Sequence, residues 1–180
     1  MTIPSPPHAS GPRWLSPDEQ AAWRTTLAAW QWVLAAVDGQ LQRDAHMPLA
    51  YYEILVRLSE APDQALRMTQ LAEASASSKS RLSHAEARLE ERGWVRRREC
   101  PTDRRGQIAE LTDAGFAALQ DAAPAHVEQV RAVLFDALTP AQARQLAGIG
   151  AAILAAAPGA DADGAAADDA GCPDALADAP

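Results

Sequence analysis

The segment 68–111 constrains the fold more than any other part of this 180-residue chain, because its periodicity changes from helical to extended partway along. A short helix is predicted over Met68–Glu73, with Thr69 as its N-cap, and a polar, serine-rich break follows it. A second helix is predicted over about Lys79–Arg92, where apolar residues recur three and four positions apart. Gly93 then stands where a glycine commonly ends a helix in a left-handed conformation.

Two short strands are predicted beyond this glycine. They are Trp94–Arg98 and Gln107–Leu111, and they flank Pro101–Gly106, a run of turn-forming residues. The order helix, polar turn, helix, glycine, strand, basic loop and strand is that of a winged helix-turn-helix, which places its second helix in the major groove of DNA. The sequence therefore predicts a mostly α-helical chain that carries one small β-hairpin wing.

An apolar stripe with heptad spacing runs along the helix predicted before this module. Its members are Trp23, Leu27, Trp30, Leu34, Val37 and Leu41. Two interpretations remain open: the stripe covers the core of its own subunit, or it forms an interface between two subunits. Helices predicted over about Asp113–Leu138 and from Thr139 onward also carry apolar faces, so we expect a homodimer held by both terminal regions. The residues expected at its interface are Trp23, Leu27, Trp30, Leu34, Leu146, Ile149 and Ile153.

The domain organisation follows from composition at the two ends. Residues 1–17 contain five prolines and are predicted to form an irregular arm. Residues 158–180 contain six aspartates, no basic residue and almost no large apolar residue, which predicts a disordered acidic tail. One domain is expected between them, over residues 18–157. Its predicted parts are a winged helix-turn-helix at about 49–112, here called the reading head, and dimerisation helices at about 18–46 and 113–157.

Charge is distributed unevenly along the chain. The net charge is −8, and the tail alone supplies −6 of it. Within residues 66–112, by contrast, ten basic side chains stand against seven acidic ones, so the reading head is locally basic. Three consecutive arginines lead into the hairpin and two more lie in its loop. Like charges so concentrated cost stability unless an anion meets them, which favours a DNA-binding surface over a merely solvated one.

Candidate DNA-contacting residues lie on the outer face of the second helix and in the hairpin. Short polar residues near a helix N-terminus suit phosphate and base-edge contacts, because the free N–H groups there also attract phosphate. We expect DNA contacts from Thr69, Lys79, Ser80, Arg81, Ser83, His84, Arg88, Arg97, Arg98, Arg104 and Arg105.

Four stretches together resemble the MarR family of bacterial transcription regulators. They read MTQLA at Met68–Ala72, RLEERGWV at Arg88–Val95, DRRG at Asp103–Gly106 and LTDAG at Leu111–Gly115. The most informative feature is the Asp-x-Arg hairpin followed at the right interval by Leu-Thr-x-x-Gly. With the flanking helices, the resemblance covers roughly residues 18–157.

The resemblance implies specific roles for several residues. The helix Lys79–Arg92 would read the major groove, Arg105 would reach the minor groove, and Asp103 would orient an arginine. Glu86 departs from the family pattern, which usually has an apolar residue there. The family also implies response to a small-molecule effector, in a pocket between the dimerisation helices and the reading head. The pocket is expected near Trp30, His46, Tyr51 and Tyr52, although aromatic residues in such positions more often belong to the core.

Other classes of protein fit the sequence less well. No apolar run reaches the roughly 18 residues of a membrane span, and the N-terminus has no secretory layout, so we expect a cytoplasmic protein. Two cysteines and four scattered histidines make no zinc module, disulfide framework or catalytic series, so neither an enzyme nor a cofactor is predicted. Cys100 lies among arginines that could lower its pKa, but an exposed wing cysteine without a signalling role is the simpler interpretation. A winged helix that binds proteins instead of DNA remains the alternative.

Overall fold

The computed structural model describes residues 12–74, 79–100 and 103–157; for residues 72–74, 79–83 and 103–105 it describes the backbone only. The predictions made for the first eleven residues of the arm, the serine-rich break, the hairpin tip and the acidic tail concern residues outside these ranges. The helices are α1 (Pro17–Ala45), α2 (Leu49–Glu60), α3 (Met68–Ala74), α4 (Lys79–Glu91), α5 (Asp113–Val133) and α6 (Pro140–Ala155). The strands are β1 (Ala65–Arg67), β2 (Val95–Cys100) and β3 (Asp103–Leu111). The predicted fold class, mostly helical with a small β wing, is confirmed.

The starts of the long helices are set by local capping. Ser16 Oγ accepts a hydrogen bond from the backbone N–H of Glu19 at 3.2 Å, and the Glu19 carboxylate accepts from the Ser16 N–H at 2.7 Å. This reciprocal capping box fixes where α1 begins. Thr112 caps α5, and Thr139 caps α6 with Pro140 at the first helical position, as the sequence predicts.

Gly93 ends α4 as expected, with a φ of 70°. Its N–H donates to the Glu90 carbonyl at 2.8 Å, and the N–H of Trp94 donates to the Leu89 carbonyl at 2.9 Å. These two bonds form a Schellman motif, which a glycine at this position completes without steric strain. The chain is thereby turned directly from α4 into β2.

The three strands form one antiparallel sheet in the order β1-β3-β2. Strand β1 was not predicted, because three half-buried residues show no alternation between a polar and an apolar face. The predicted loop Pro101–Gly106 is too long, since β3 already begins at Asp103, which pairs with Cys100. A register irregularity between Glu99 and Cys100 lets the strand pairing continue toward the hairpin tip. We call the β2–β3 hairpin the wing.

Two further predictions about helices need correction, the N-cap of α3 and the end of α5. Thr69 is not an N-cap, because α3 begins at Met68 and the Gln70 side chain accepts a hydrogen bond from the Arg67 N–H at 3.0 Å. Helix α5 runs without interruption through Pro124. It ends at Val133 and gives way to a 3₁₀ turn, so its predicted end at Leu138 is wrong.

The core lies where the second half of α1 packs with α2, α4, the sheet and α5. Its buried side chains include Val33, Val37, Leu41, Met47, Tyr52, Ile54, Leu55, Leu58, Leu71, Leu89, Val95, Ala109, Leu111 and Leu119. The heptad stripe therefore divides: its last two members are buried in this core. Its first four members remain exposed, with Trp23 at 60% and Trp30 at 49% of full accessibility. The core interpretation therefore holds for the last two members of the stripe, and the interface interpretation stays a prediction for the first four.

The junction between the wing and α5 is held at the Trp94 carbonyl. The N–H of Thr112 donates to this carbonyl at 3.1 Å, and the Thr112 hydroxyl donates to the Gly93 carbonyl at 2.7 Å. A Cβ placed on Gly115 would lie 2.1 Å from the Trp94 oxygen and 2.9 Å from Leu111 Cδ1. The Leu-Thr-x-x-Gly pattern is therefore a structural requirement, since a side chain would push α5 off the end of β3.

Replacing Gly115 by alanine should consequently destabilise the protein strongly. We expect Gly115→Ala to lower the free energy of unfolding by about 3 kcal/mol, because the obstacle is backbone and cannot rotate away. A fall of about 10 °C in the melting temperature would be the observed result.

Gly39→Ala is the matched control, since this glycine lies inside α1 and a Cβ there would meet only the Arg43 guanidinium at 3.2 Å. That variant should be neutral or gain about 0.5–1 kcal/mol from its better helix propensity. Equal melting temperatures for Gly115→Ala and the wild type would show that the junction is not closely packed.

Candidate nucleic-acid interface

Helix α4 presents two different faces. Glu86 and Leu89 are fully buried, whereas His84 and Arg88 are exposed on the opposite side. Arg88 makes an exposed ion pair with Glu91 at 2.7 Å, which contributes little to stability and leaves the guanidinium accessible. The exposure of His84 and Arg88 agrees with the predicted outer face. The side chains of Lys79, Ser80, Arg81 and Ser83 lie outside the described residues, so their placement on this face stays a prediction.

The three consecutive arginines of β2 alternate between the two faces of the wing. Arg97 points toward α4, where its Nη2 lies 3.1 Å from Glu86 Oε2 and its Nε lies 3.4 Å from Glu90 Oε2. Arg96 and Arg98 lie on the other face. Their guanidinium groups contact the two oxygens of Glu110 on β3, at 2.6 and 3.2 Å.

These contacts change the interpretation of the charge pattern. The anions that offset the three arginines are carboxylates of the same subunit, so their concentration does not by itself require DNA. Arg97 and Arg98, both predicted to contact DNA, are engaged in ion pairs within the reading head. The side chains of Asp103, Arg104 and Arg105 lie outside the described residues, and their roles remain predictions.

Glu86 resolves the departure from the family pattern. The residue occupies an inner position of α4 and is 0% exposed, so the packing accommodates a carboxylate where an apolar side chain is usual. Burial raises the pKa of Glu86, and repulsion from Glu90 adds to the rise, while attraction to the Arg97 guanidinium opposes it. The ion pair with Arg97 is therefore what makes a charged group tolerable at this position.

Arg92, which the sequence did not single out, ties the end of α4 to the dimerisation helices. Its Nη1 donates to the His46 carbonyl at 2.8 Å, just after α1 ends. Its guanidinium also lies over the Trp94 ring, 4.8 Å from the centroid, and 5.9 Å from that of Tyr51. No sequence spacing points to this contact, because it joins residues 46 positions apart.

A cavity of about 280 Å³ lies between the end of α1, the start of β2 and α5. It is lined by Gln40, Asp44, Ala45, Met47, Trp94, Ala118, Asp121, Ala122 and Ala125. None of the four residues predicted for an effector pocket lines it. Trp30 lies on the exposed stripe, Tyr51 faces Arg92, and Tyr52 is buried with its ring 4.2 Å from that of His126.

The polar groups of this cavity are acidic or amidic. Asp44 and Asp121 are exposed, so they lie where the cavity meets solvent, whereas Gln40 is buried. Gln40 Nε2 donates to Asp44 Oδ2 at 3.0 Å, and Gln40 Oε1 has no hydrogen-bond partner among the described residues. Lysine, arginine and histidine are absent from the lining.

Other reactive groups do not form a second site in the described part of the chain. Cys100 is 2% exposed, so the expectation of an exposed wing cysteine is wrong. His126 is half-buried, and desolvation lowers its pKa, which keeps the ring neutral. No cluster of His, Cys, Asp or Glu within residues 12–74, 79–100 and 103–157 could hold a metal ion, and no helix there could cross a membrane.

Comparisons with known proteins agree with this geometry. A sequence model of the MarR family matches residues 47–106. Sco3205, a MarR family transcriptional regulator from Streptomyces coelicolor solved in complex with DNA, is 50% identical with a TM-score of 0.77, over 80% of this chain and 90% of that one. AbsC, a MarR family regulator from the same organism, is 41% identical with a TM-score of 0.70, over 75% and 90% of the two chains.

A more distant structure shares the fold. A mutant MarR from E. coli complexed with operator DNA is 20% identical with a TM-score of 0.67, over 74% of this chain and 94% of that one. No curated protein sequence gives a significant match.

Proposed function

Because the chain belongs to the MarR family of transcriptional regulators, we propose that it is a homodimer that binds a pseudo-palindromic DNA duplex through α4 and the wing. One observation carries the proposal: the outer face of α4 is exposed beside the wing, in a chain that is 50% identical to a regulator solved in complex with DNA. The same observation favours DNA over the protein-binding alternative. Regulators of this kind are not enzymes, and we expect this one to act in the cytoplasm without a cofactor.

We expect α4 and the wing to divide the work of recognition. A helix in the major groove can distinguish all four base pairs, whereas the minor groove mainly separates A·T from G·C. His84, exposed on α4, and Ser83 beside it should therefore set sequence preference. Arg105 near the wing tip should supply affinity, with at most an A·T preference where the groove is narrow. Arg97 is better assigned to the interior contact with Glu86 than to DNA.

A salt titration of binding separates these two roles. Arg105→Ala should weaken binding to cognate and scrambled duplexes alike, by about tenfold, and reduce the salt slope by about one unit per subunit. His84→Ala should instead reduce the cognate-to-scrambled ratio by about tenfold, because a base-edge contact is lost.

Arg144→Ala serves as the control for charge alone, since this exposed arginine lies on α6, away from the reading head. It should leave affinity and slope unchanged. If Arg105→Ala also leaves affinity and slope unchanged, the hairpin is not a DNA-contacting wing. The roles assigned to Asp103 and Arg105 would then both be wrong.

The exposed apolar surface supports the homodimer. Large apolar side chains are uncovered on both terminal regions, and so many of them on one chain indicate an interface. They include Trp23, Leu27, Trp30, Leu34, Val127, Phe135, Leu146, Ile149, Ile153 and Leu154. A second copy of the chain would present the same surface, as a two-fold symmetric interface requires. Two reading heads would then address the two halves of a pseudo-palindrome.

Acidic substitutions in the stripe test the dimer. Trp30→Asp with Leu34→Asp should give a monomer or an unfolded chain in sedimentation at micromolar concentration, since it places two charges inside the interface. Thr25→Asp with Ala28→Asp puts the same charges on the opposite face of α1 and should leave the dimer intact. A stable wild-type monomer under these conditions would contradict the assignment.

We further propose the described cavity as the effector site, in place of the four aromatic-region residues first expected. It touches α1, α5 and Trp94, which lies three residues after the end of α4, so a bound molecule could bias the reading head against the dimerisation helices. Two carboxylates and no basic side chain in the lining favour a small cationic amine with an apolar body.

Three matched probes test this preference: 2-phenylethylamine, 3-phenylpropanoate and 2-phenylethanol, titrated by calorimetry. The amine should bind at least about tenfold tighter than the carboxylate, because the electrostatic interactions have opposite sign. Asp44→Asn with Asp121→Asn should abolish that preference, whereas Glu128→Gln, on α5 but not in the lining, should preserve it. Tighter binding of the carboxylate would rule out the assigned ligand class.

A further inference from the structure

Glu86 is the one fully buried charged side chain among the residues that the structure describes. It lies on the inner face of α4, three positions before the buried Leu89, where an apolar residue would pack without cost. A buried carboxylate without a partner is strongly unfavourable. Its ionic partner, Arg97, belongs to a different element, so the burial of Glu86 depends on where the wing lies.

Arg97 makes the ionic link between α4 and the middle of the wing. Its guanidinium contacts Glu86 Oε2 at 3.1 Å and Glu90 Oε2 at 3.4 Å, two carboxylates that are one helical turn apart. Arg97 pairs with Ala109 in the hairpin register, so both strands are fixed at this point. Arg96 and Arg98 point to the other face and hold Glu110 within the wing itself.

We propose that Glu86, acting through Arg97, is a positioning residue that holds the wing at the angle from which Arg105 reaches DNA. The proposal rests on the proposed function, because it takes the wing to be a DNA-contacting element. The strand continues about 10 Å beyond Arg97 to the hairpin turn, at about 3.3 Å per residue. A rotation about the Glu86–Arg97 contact therefore displaces the end of the wing, which lies about 10 Å away, further than the base of β2, which lies about 7 Å away.

A purely stabilising role is the alternative, and it makes a different prediction. Replacing both members of a buried ion pair with apolar residues of similar volume is often neutral or stabilising. Glu86→Leu with Arg97→Met therefore removes the link without leaving an unpaired charge in the interior. If the pair serves only stability, Arg105→Ala should weaken DNA binding in this double variant as much as it does in the wild type.

The test is a thermodynamic cycle on DNA binding, measured by fluorescence anisotropy at fixed salt. The DNA is a duplex that the wild-type protein selects from a random pool. In the wild type, Arg105→Ala should weaken binding about tenfold. In the Glu86→Leu/Arg97→Met background, the same change should weaken it less than about twofold, because the wing is no longer held against the groove. In a Glu86→Gln background, where the amide oxygen can still accept a hydrogen bond from Arg97, Arg105→Ala should keep most of its tenfold effect.

Arg96→Met is the matched control, since it removes an arginine from the same strand but from the opposite face. It should leave the effect of Arg105→Ala at about tenfold. An equal loss in all backgrounds would overturn the positioning role. A different outcome is that the wild type binds its site specifically and Arg105→Ala does not weaken that binding. This result would contradict the wing contact in the proposed function and would be distinguishable from a failure of the positioning role alone.

Hydrogen exchange on the protein without DNA supplies the independent measurement. The amides of β2 and β3 should exchange at least about tenfold faster in Glu86→Leu/Arg97→Met than in the wild type, while those of α1 stay unchanged. Unchanged exchange in the wing would overturn the proposal whatever the DNA measurements show.

Discussion

The backbone around Trp94 is the point on which the rest of the structure depends. Its N–H closes the end of α4, and its carbonyl accepts from Thr112 at the start of α5. Gly115 allows α5 to approach that carbonyl so closely that no other side chain would fit. The reading helix, the wing and the dimerisation helix thus meet within one residue. Backbone hydrogen bonds therefore hold together the end of α4, the start of β2 and the start of α5, while side chains such as Arg97 attach the middle of the wing to α4.

The arginines of β2 bind carboxylates of the same subunit. The arginine run that first indicates DNA is largely neutralised inside the reading head, by Glu86, Glu90 and Glu110. Its physical role is to assemble the wing and attach it to α4. We expect affinity for phosphate to come from Arg88, whose exposed ion pair with Glu91 a phosphate can replace, and from the arginines near the wing tip. Local charge in a sequence therefore overstates the charge that a folded surface presents to DNA.

Sequence patterns predicted the elements that depend on local rules. The Thr112 and Thr139 caps and the Gly93 terminus follow from contacts between near neighbours, so the order of helices and strands could be derived. Strand β1 and the Arg92 contact with His46 could not, because they exist only once distant segments are packed.

The predicted effector pocket illustrates the same limit. The described cavity lies between α1, α5 and β2, in the region where the pocket is expected, but none of the four residues named for the pocket lines it. Tyr52 is in the core and Trp30 is on the exposed stripe. Small residues such as Ala118 and Ala122 leave the space instead, and alanines carry no distinctive signal in a sequence this rich in them.

Selection of bound sequences from a random pool of duplexes, using the purified full-length chain, tests the central claim most directly. A homodimer reading the major groove with α4 predicts enrichment of an inverted repeat whose half-sites lie about 10 base pairs apart, or a multiple of that spacing. Enrichment of a single unrepeated site would contradict the two-fold arrangement of reading heads. Failure to enrich any sequence above the starting pool would contradict sequence-specific DNA binding itself.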